Sequence, residues 1–186
     1  MAKAKNIILH GVSGKIGDTL VIRQRGGMTI LSEAPGEREK APTESQKAHQ
    51  AKFQQAVIYG KTVMADAESK AEYGEKADDR HSAYNVAVAD FFHAPDIDEI
   101  DVTNYTGAIG DSIRIRATDD FKVVQLHVAI FNADGSLVEE GDAVQQENVL
   151  DWLYSATIAN ESLEGDKIVV KAADKPGNIA EQEAQL

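Results

Sequence analysis

Two short runs constrain this chain more than any other feature: "DSIRIRAT" and "KVVQLHVAIF". In the first, Ile113, Ile115 and Ala117 alternate with Ser112, Arg114 and Arg116. In the second, Val124, Leu126, Val128 and Ile130 alternate with Gln125 and His127. A period of two puts each set on one face of a strand, so both runs read as half-buried β-strands. An apolar sheet face must be covered by a second layer. The neighbouring residues supply one. "DEIDVTNY", "DWLYSATI", "DKIVVKAAD" and "IAEQEAQ" read as further strands, with Asp134-Gly135 and "KPGN" as turns. Ile168, Val170 and Ala172 share a face, as do Trp152, Tyr154 and Ala156. About seven short strands over residues 97–186 predict an immunoglobulin-like sandwich with Trp152 and Tyr154 in its core.

The first half reads differently. Strands at 19–25 and 28–34 flank Gly26-Gly27, a hairpin signal. "NIILH" reads as a third strand turning through Ser13-Gly14-Lys15, and "APGEREKAPT" as a linker. Residues 43–93 carry no strand-like run. Thr43 with Gln46 three residues on forms a capping-box pattern. Phe53, Ala56, Val57, Gly60 and Met64 then trace one helical face. Asp66 is placed to cap a second helix to about Lys76. A third, over about 79–92, brings Tyr84, Val88 and Phe91 or Phe92 together and ends before Pro95. The expected fold is α+β. Residues 1–95 form a β-ribbon with a helical hairpin or three-helix segment, and residues 96–186 an acidic Ig-like β-sandwich.

Charge supports that division. Residues 1–95 hold 13 Lys/Arg and 12 Asp/Glu, a net of +1; residues 96–186 hold 6 and 19, a net of −13. So acidic a surface repels a phosphate backbone, which argues against nucleic-acid binding. The absence of cysteine excludes disulfides, zinc–thiolate sites and cysteine nucleophiles. No apolar run nears the roughly 20 residues of a membrane helix, so membrane insertion is not expected. The start, "MAKAKNIILHGVSGK", lacks a secretory apolar region. Compartment is left open, an extracellular or particle-associated assembly included.

Gly11, Gly14 and Gly17 spell G-x-x-G-x-x-G after an apolar run, with Glu33 about 20 residues on, as in a nucleotide-binding turn. An NAD(P)-binding enzyme is the remote reading. It requires a helix after the glycines and further alternating strands. Thr19, Val21 and Ile22 disfavour that helix. Gly14-Lys15 is followed by Ile16 rather than Ser or Thr, so a Walker A loop fits less well. Another likeness covers most of the chain. Gly14-Lys15-Ile16-Gly17, Arg23-Gln24-Arg25-Gly26-Gly27, Pro35, Pro42-Thr43-x-x-Gln46 and Phe53 resemble an uncharacterised bacterial family. Some of its members continue with an Ig-like "G-D-x-I-x-I-x-A-x-D-D-F", matched by Gly110–Phe121. The resemblance implies no activity. "VVKAADKPGN" is similar to the last-strand turn of Ig-like modules of bacterial surface proteins, which implies a spacer, adhesion or assembly unit.

Candidate chemistry is sparse. In an Ig-like sandwich Asp119 and Asp120 would lie near Asp174 and Asn178, a hard-oxygen set suited to Ca²⁺; the alternative is ordinary turn chemistry. No other cofactor is implied. His10, His49, His81, His93 and His127 lack helical partner spacing for zinc. No nucleophile elbow or glycosidase-type carboxylate pair stands out, so no catalytic residue is assigned. Lys15, Arg23 and Arg25 form a candidate basic interaction face, or charges that protect a strand edge. The resulting expectation is a non-enzymatic structural or interaction protein that self-assembles head to tail through β-edges and opposite charges. The alternative is an Ig-like module that binds a carbohydrate or protein.

Overall fold

The computed structural model describes residues 2–4, 11–36 and 41–186, which form two compact units, Met1–Val86 and Ala87–Leu186. Among the described residues the fold is mixed α+β, with three helices and three four-stranded antiparallel sheets. The two units part at 86/87, against the expected 95/96. Residues 87–95 are held by the second unit, where the Asn178 side chain donates to the carbonyls of Phe91 and His93.

In the first unit, β1 (Ala2–Ala4), β2 (Gly14–Ile16), β3 (Leu20–Arg25) and β4 (Met28–Glu33) are ordered β1-β4-β3-β2. The Gly26-Gly27 hairpin is present, with Arg25 opposite Met28 and φ of 53° and 71° at the two glycines. Positive φ at both central residues is the tight turn that suits strand twist. The expected strand at 6–10 lies outside the described residues. Gly14 and Lys15, expected in a turn, belong to β2 and pair with Ile22 and Val21. No helix opens after Gly14 or Gly17, since residues 14–25 run as antiparallel strands. The glycines therefore lack the helix N-terminus that a dinucleotide pyrophosphate requires.

The helices are α1 (Glu44–Ala65), α2 (Ala67–Glu75) and α3 (Ala83–Asp90). Thr43 and Gln46 form the reciprocal capping box. Asp66 ends α1 and caps α2, its carboxylate accepting from Ser69 N at 2.8 Å. The buried face of α1 is Ala56, Gly60 and Val63; Phe53, expected on it, is half exposed. Tyr73 of α2 is fully buried, and its hydroxyl meets that of Tyr59 on α1 at 2.7 Å. α3 stops at Asp90, before Phe91 and Phe92, and buries Ala87 rather than Tyr84 or Val88.

The second unit adds β5 (Asp96–Asp101), β6 (Ser112–Thr118), β7 (Val123–Phe131) and β8 (Leu137–Asp142). It continues with β9 (Val144–Gln145), β10 (Asp151–Ser155), β11 (Lys167–Asp174) and β12 (Ile179–Gln185). Sheets β5-β6-β10-β9 and β12-β11-β7-β8 share one apolar core, a sandwich-like arrangement. Ile113 and Ile115 meet Leu126, Val128, Ile130, Trp152, Tyr154, Ile168 and Val170 there. Each such side chain contributes about 1.5–3 kcal/mol on burial. One alternation breaks. The β7–β11 register shifts between Ala173 and Asp174, a bulge that buries Val123 and turns Val124 out, 46% exposed. An extra residue on one strand reverses the facing of what precedes it.

Candidate metal centre

Two core-facing strand rows and the buried row of α3 end in an aspartate at one end of the sandwich. On β6 the inward row Ile113, Ile115, Ala117 runs on to Asp119 just past the strand. On β11 the row Ile168, Val170, Ala172 ends in Asp174. On α3, buried Ala87 is followed one turn later by buried Asp90. Periodicity thus aims all three side chains where the apolar core gives out. A carboxylate oxygen of each lies within 4.8 Å of the others. Asp90 and Asp174 are each only 2% exposed.

The local hydrogen bonds fix these groups. Asp174 Oδ1 accepts from Gly177 N at 2.8 Å and Asn178 N at 2.6 Å, and Oδ2 accepts from Asn178 Nδ2 at 2.6 Å. Asp119 Oδ2 accepts from Phe121 N at 2.9 Å and Lys122 N at 2.7 Å. Asp119 Oδ1 is buried and accepts no hydrogen bond. Burial raises the pKa of Asp174; the Asn178 and Gly177 bonds oppose this, and the charge of Asp119 adds to it. Asp90 sits at the last residue of α3, where the helix dipole is negative and a further anion is unfavourable. Gathered carboxylates of this kind keep a proton or take up a cation.

Of the four residues expected to form the site, Asp119 and Asp174 converge. Asn178 faces the cluster as a donor: its Nδ2 serves Asp174 and the His93 carbonyl, at 2.6 and 2.8 Å, and so braces the turn. Asp120 departs from the expectation. Adjacent residues point apart, and its carboxylate bonds His93 instead. His93 and Asp120 line an open cleft of about 560 Å³ with Phe92, Asp96, Thr118 and Asp119. Asp90 was not anticipated. Its signal was its position: an acid at a helix C-terminus, on the helix's buried row, opposes the dipole and needs a reason.

The basic face keeps its expected parity. Lys15 pairs with Val21 across the sheet, and Val21, Arg23 and Arg25 share a face, so all three cations lie on one side. Lys15 is bonded to Asp18 at 2.8 Å. β3 lies between β4 and β2, so Arg23 and Arg25 do not guard a bare edge along the whole strand; β2 covers only Leu20–Ile22. Elsewhere, Arg114 bridges Glu99 and Asp101, and Arg116 holds Asp151. These contacts hold Asp151 at a pKa of about 2, through the Arg116 hydrogen bond first and Asn148 second.

No protein-family model and no curated protein matches the chain. Among solved structures, CopC from Methylosinus trichosporium OB3b aligns at 19% identity and a TM-score of 0.35, over 49% of this chain and 88% of that one. An engineered protein aligns at 14% identity and a TM-score of 0.33, over 54% of this chain and 25% of that one. Likeness at this level carries no inference about function.

Proposed function

We propose that the chain is a non-enzymatic structural or interaction protein, and that its second unit is an Ig-like sandwich clamped by Ca²⁺. The strand orders support the Ig-like reading. With β5, β6, β7, β8, β9, β10 and β11–β12 taken as A, B, C, C′, D, E and F–G, the sheets read A-B-E-D and G-F-C-C′. One observation carries the cation reading: carboxylates from the end of α3, the β6–β7 connection and the end of β11 converge within 4.8 Å. Their oxygens are hard donors of the kind Ca²⁺ takes, and Asp119 Oδ1 has a buried lone pair left over. Water and further carbonyls would complete its six to eight ligands. A bound ion would tie three separate segments together, which favours rigidity rather than turnover. Isothermal titration with Ca²⁺ should give saturable binding, and at 100 times Kd the unit should gain about 2.7 kcal/mol. No heat and no rise in Tm at 10 mM Ca²⁺, on the order of a thousand times a 10 μM Kd, would overturn the clamp.

The partner we propose is a second copy. Divided at 86/87, the chain carries 13 Lys/Arg and 11 Asp/Glu in the first unit, net +2, and 6 and 20 in the second, net −14. Unlike surfaces on one chain join head to tail and give open or ring assemblies. β8 and β12 are the edge strands of their sheet, the kind of backbone that strand addition uses. Sedimentation velocity at rising concentration, with negative-stain microscopy, tests this; a strictly monomeric chain with and without Ca²⁺ would refute it. The cleft beside His93 favours the second reading, a ligand-binding Ig-like module. Glycan-array signal lost in Asp120→Ala would support that reading. Among the described residues no helix is long and apolar enough to cross a membrane.

A further inference from the structure

A head-to-tail contact joins two different surfaces, here one rich in arginine and one rich in carboxylates. On the first unit, Arg23 and Arg25 are exposed on one face of β3, about 7 Å apart by strand geometry. Arg80 joins them. Its stem packs over the Gly26 turn, where a Cβ would lie 3.9 Å from Arg80 Cγ. Arg25 and Arg80 flank a cleft of about 300 Å³ floored by Met28 and Ile30. Among the described residues none of these three guanidinium groups makes an ion pair. This contrasts with Arg114, Arg116, Lys167 and Lys171, each of which meets a carboxylate. A guanidinium fork is built for carboxylates, which it binds in a bidentate manner.

On the second unit the matching feature is the cleft lined by Phe92, Asp96, Asp119 and Asp120. Asp96 and Asp120 are exposed at it, and Phe92 offers an aromatic surface for a guanidinium plane. Two copies of a chain with net charge −12 repel one another in most orientations. An orientation that brings the cationic patch of one copy onto the acidic cleft of the other attracts instead. We infer that the Arg23, Arg25 and Arg80 surface of one copy docks on the Asp96 and Asp120 rim of a second copy. This rests on the self-association reading above and specifies its surfaces. The contact is heterologous, so each copy keeps a free patch and a free cleft for the next.

The test uses the full chain and three proteins: the parent, Arg23→Glu/Arg25→Glu and Asp96→Lys/Asp120→Lys. Light scattering and sedimentation at about 50 mM salt give the concentration at which each associates. The parent should associate, and about 0.5 M salt should reverse it, since exposed charges are then screened. Each double variant should need at least about tenfold more protein, because reversal replaces attraction by repulsion at the same contact. An equimolar mixture of the two should recover the parent's threshold to within about threefold, since each variant then meets a partner of opposite sign. Circular dichroism checks folding, and Asp96→Lys alone keeps the Asp120–His93 contact should the double variant unfold. A parent that associates while both variants do so equally overturns this contact and leaves self-association standing. A parent that stays monomeric overturns both. Variants that lose association but fail to restore it on mixing also overturn the pairing.

Discussion

Asp119→Asn is expected to melt higher than the parent chain in chelator and lower than it in Ca²⁺. Asp119 Oδ2 accepts two backbone amides, which an asparagine carbonyl would keep. The amide NH₂ then takes the place of Oδ1, a buried oxygen with no hydrogen bond. One negative charge leaves the cluster, and a donor appears among carboxylates. Relief of repulsion plus a charge-assisted bond stabilises by about 1 kcal/mol, or roughly 4–8 °C for a unit of this size. In saturating Ca²⁺ the parent gains about 2.7 kcal/mol at 100 times Kd, and the variant loses most of it. The two melting curves should therefore exchange order on adding the ion. Equal Ca²⁺ shifts in both proteins would place any bound ion elsewhere. A variant less stable than the parent in chelator would mean that the charge already has a favourable partner.

The pH dependence follows from the same cluster. Asp174 has a folded pKa above its unfolded value of 3.8, chiefly through burial. At pH below 3.8 both states are protonated. As pH rises above that, the unfolded carboxyl ionises first, so stability without Ca²⁺ falls until the folded group also ionises. Asp151 has the opposite sign. Its folded pKa is about 2, so its contribution is present above 3.8 and is lost as pH falls towards 2. The two windows lie on opposite sides of 3.8. Ca²⁺ needs ionised ligands, so its stabilising effect should grow with pH across the upper window. In Asp119→Asn the fall above 3.8 should be shallower, because a neighbouring charge has gone.

Much of this was legible in period-two patterning. Ile113, Ile115 and Ala117, and Ile168, Val170 and Ala172, all proved buried or nearly so, because side-chain direction on a strand follows from parity alone. The same parity, carried one step further, points Asp119 and Asp174 into one space. What parity cannot show is a change of register. Parity places Val124 inward, and the bulge opposite Ala173 and Asp174 puts Val123 there instead. The bulge depends on pairing between strands about fifty residues apart, which local sequence does not encode. Asp90 was hidden for another reason. The apolar residues Tyr84, Val88 and Phe91 or Phe92 mark a face that leaves Asp90 off it, whereas the buried row of α3 is Ala87 and Asp90. On α1 the helical period holds, but the buried row is Ala56, Gly60 and Val63, and Phe53 is half exposed.

Gly107→Ala is expected to be the most damaging single-methyl change in the second unit. The β5–β6 and β10–β11 connections meet at the end of the sandwich away from the three aspartates. There Asn160 N donates to Gly107 O at 2.8 Å, and Asn160 Nδ2 donates to the buried Asp166 at 2.8 Å. A Cβ on Gly107 would sit 2.3 Å from the Asn160 carbonyl oxygen, a backbone atom that cannot rotate away. Its φ of +90° is also unfavourable for any side chain. Strained φ costs about 1–3 kcal/mol, and the clash must be relieved by parting two loops that share a buried polar network. We expect a loss of about 3–4 kcal/mol, near the upper end for one substitution. Gly110→Ala is the matched control: its φ is +91°, and a Cβ there meets nothing within 4 Å. It should lose only the conformational part, about 1–2 kcal/mol. Chemical denaturation of the two variants isolates the steric contribution as their difference. Equal losses would show that the Gly107–Asn160 approach is not as close as described. A Ca²⁺ response retained by Gly107→Ala at low temperature, where the unit is still folded, would show that the two ends of the sandwich act independently.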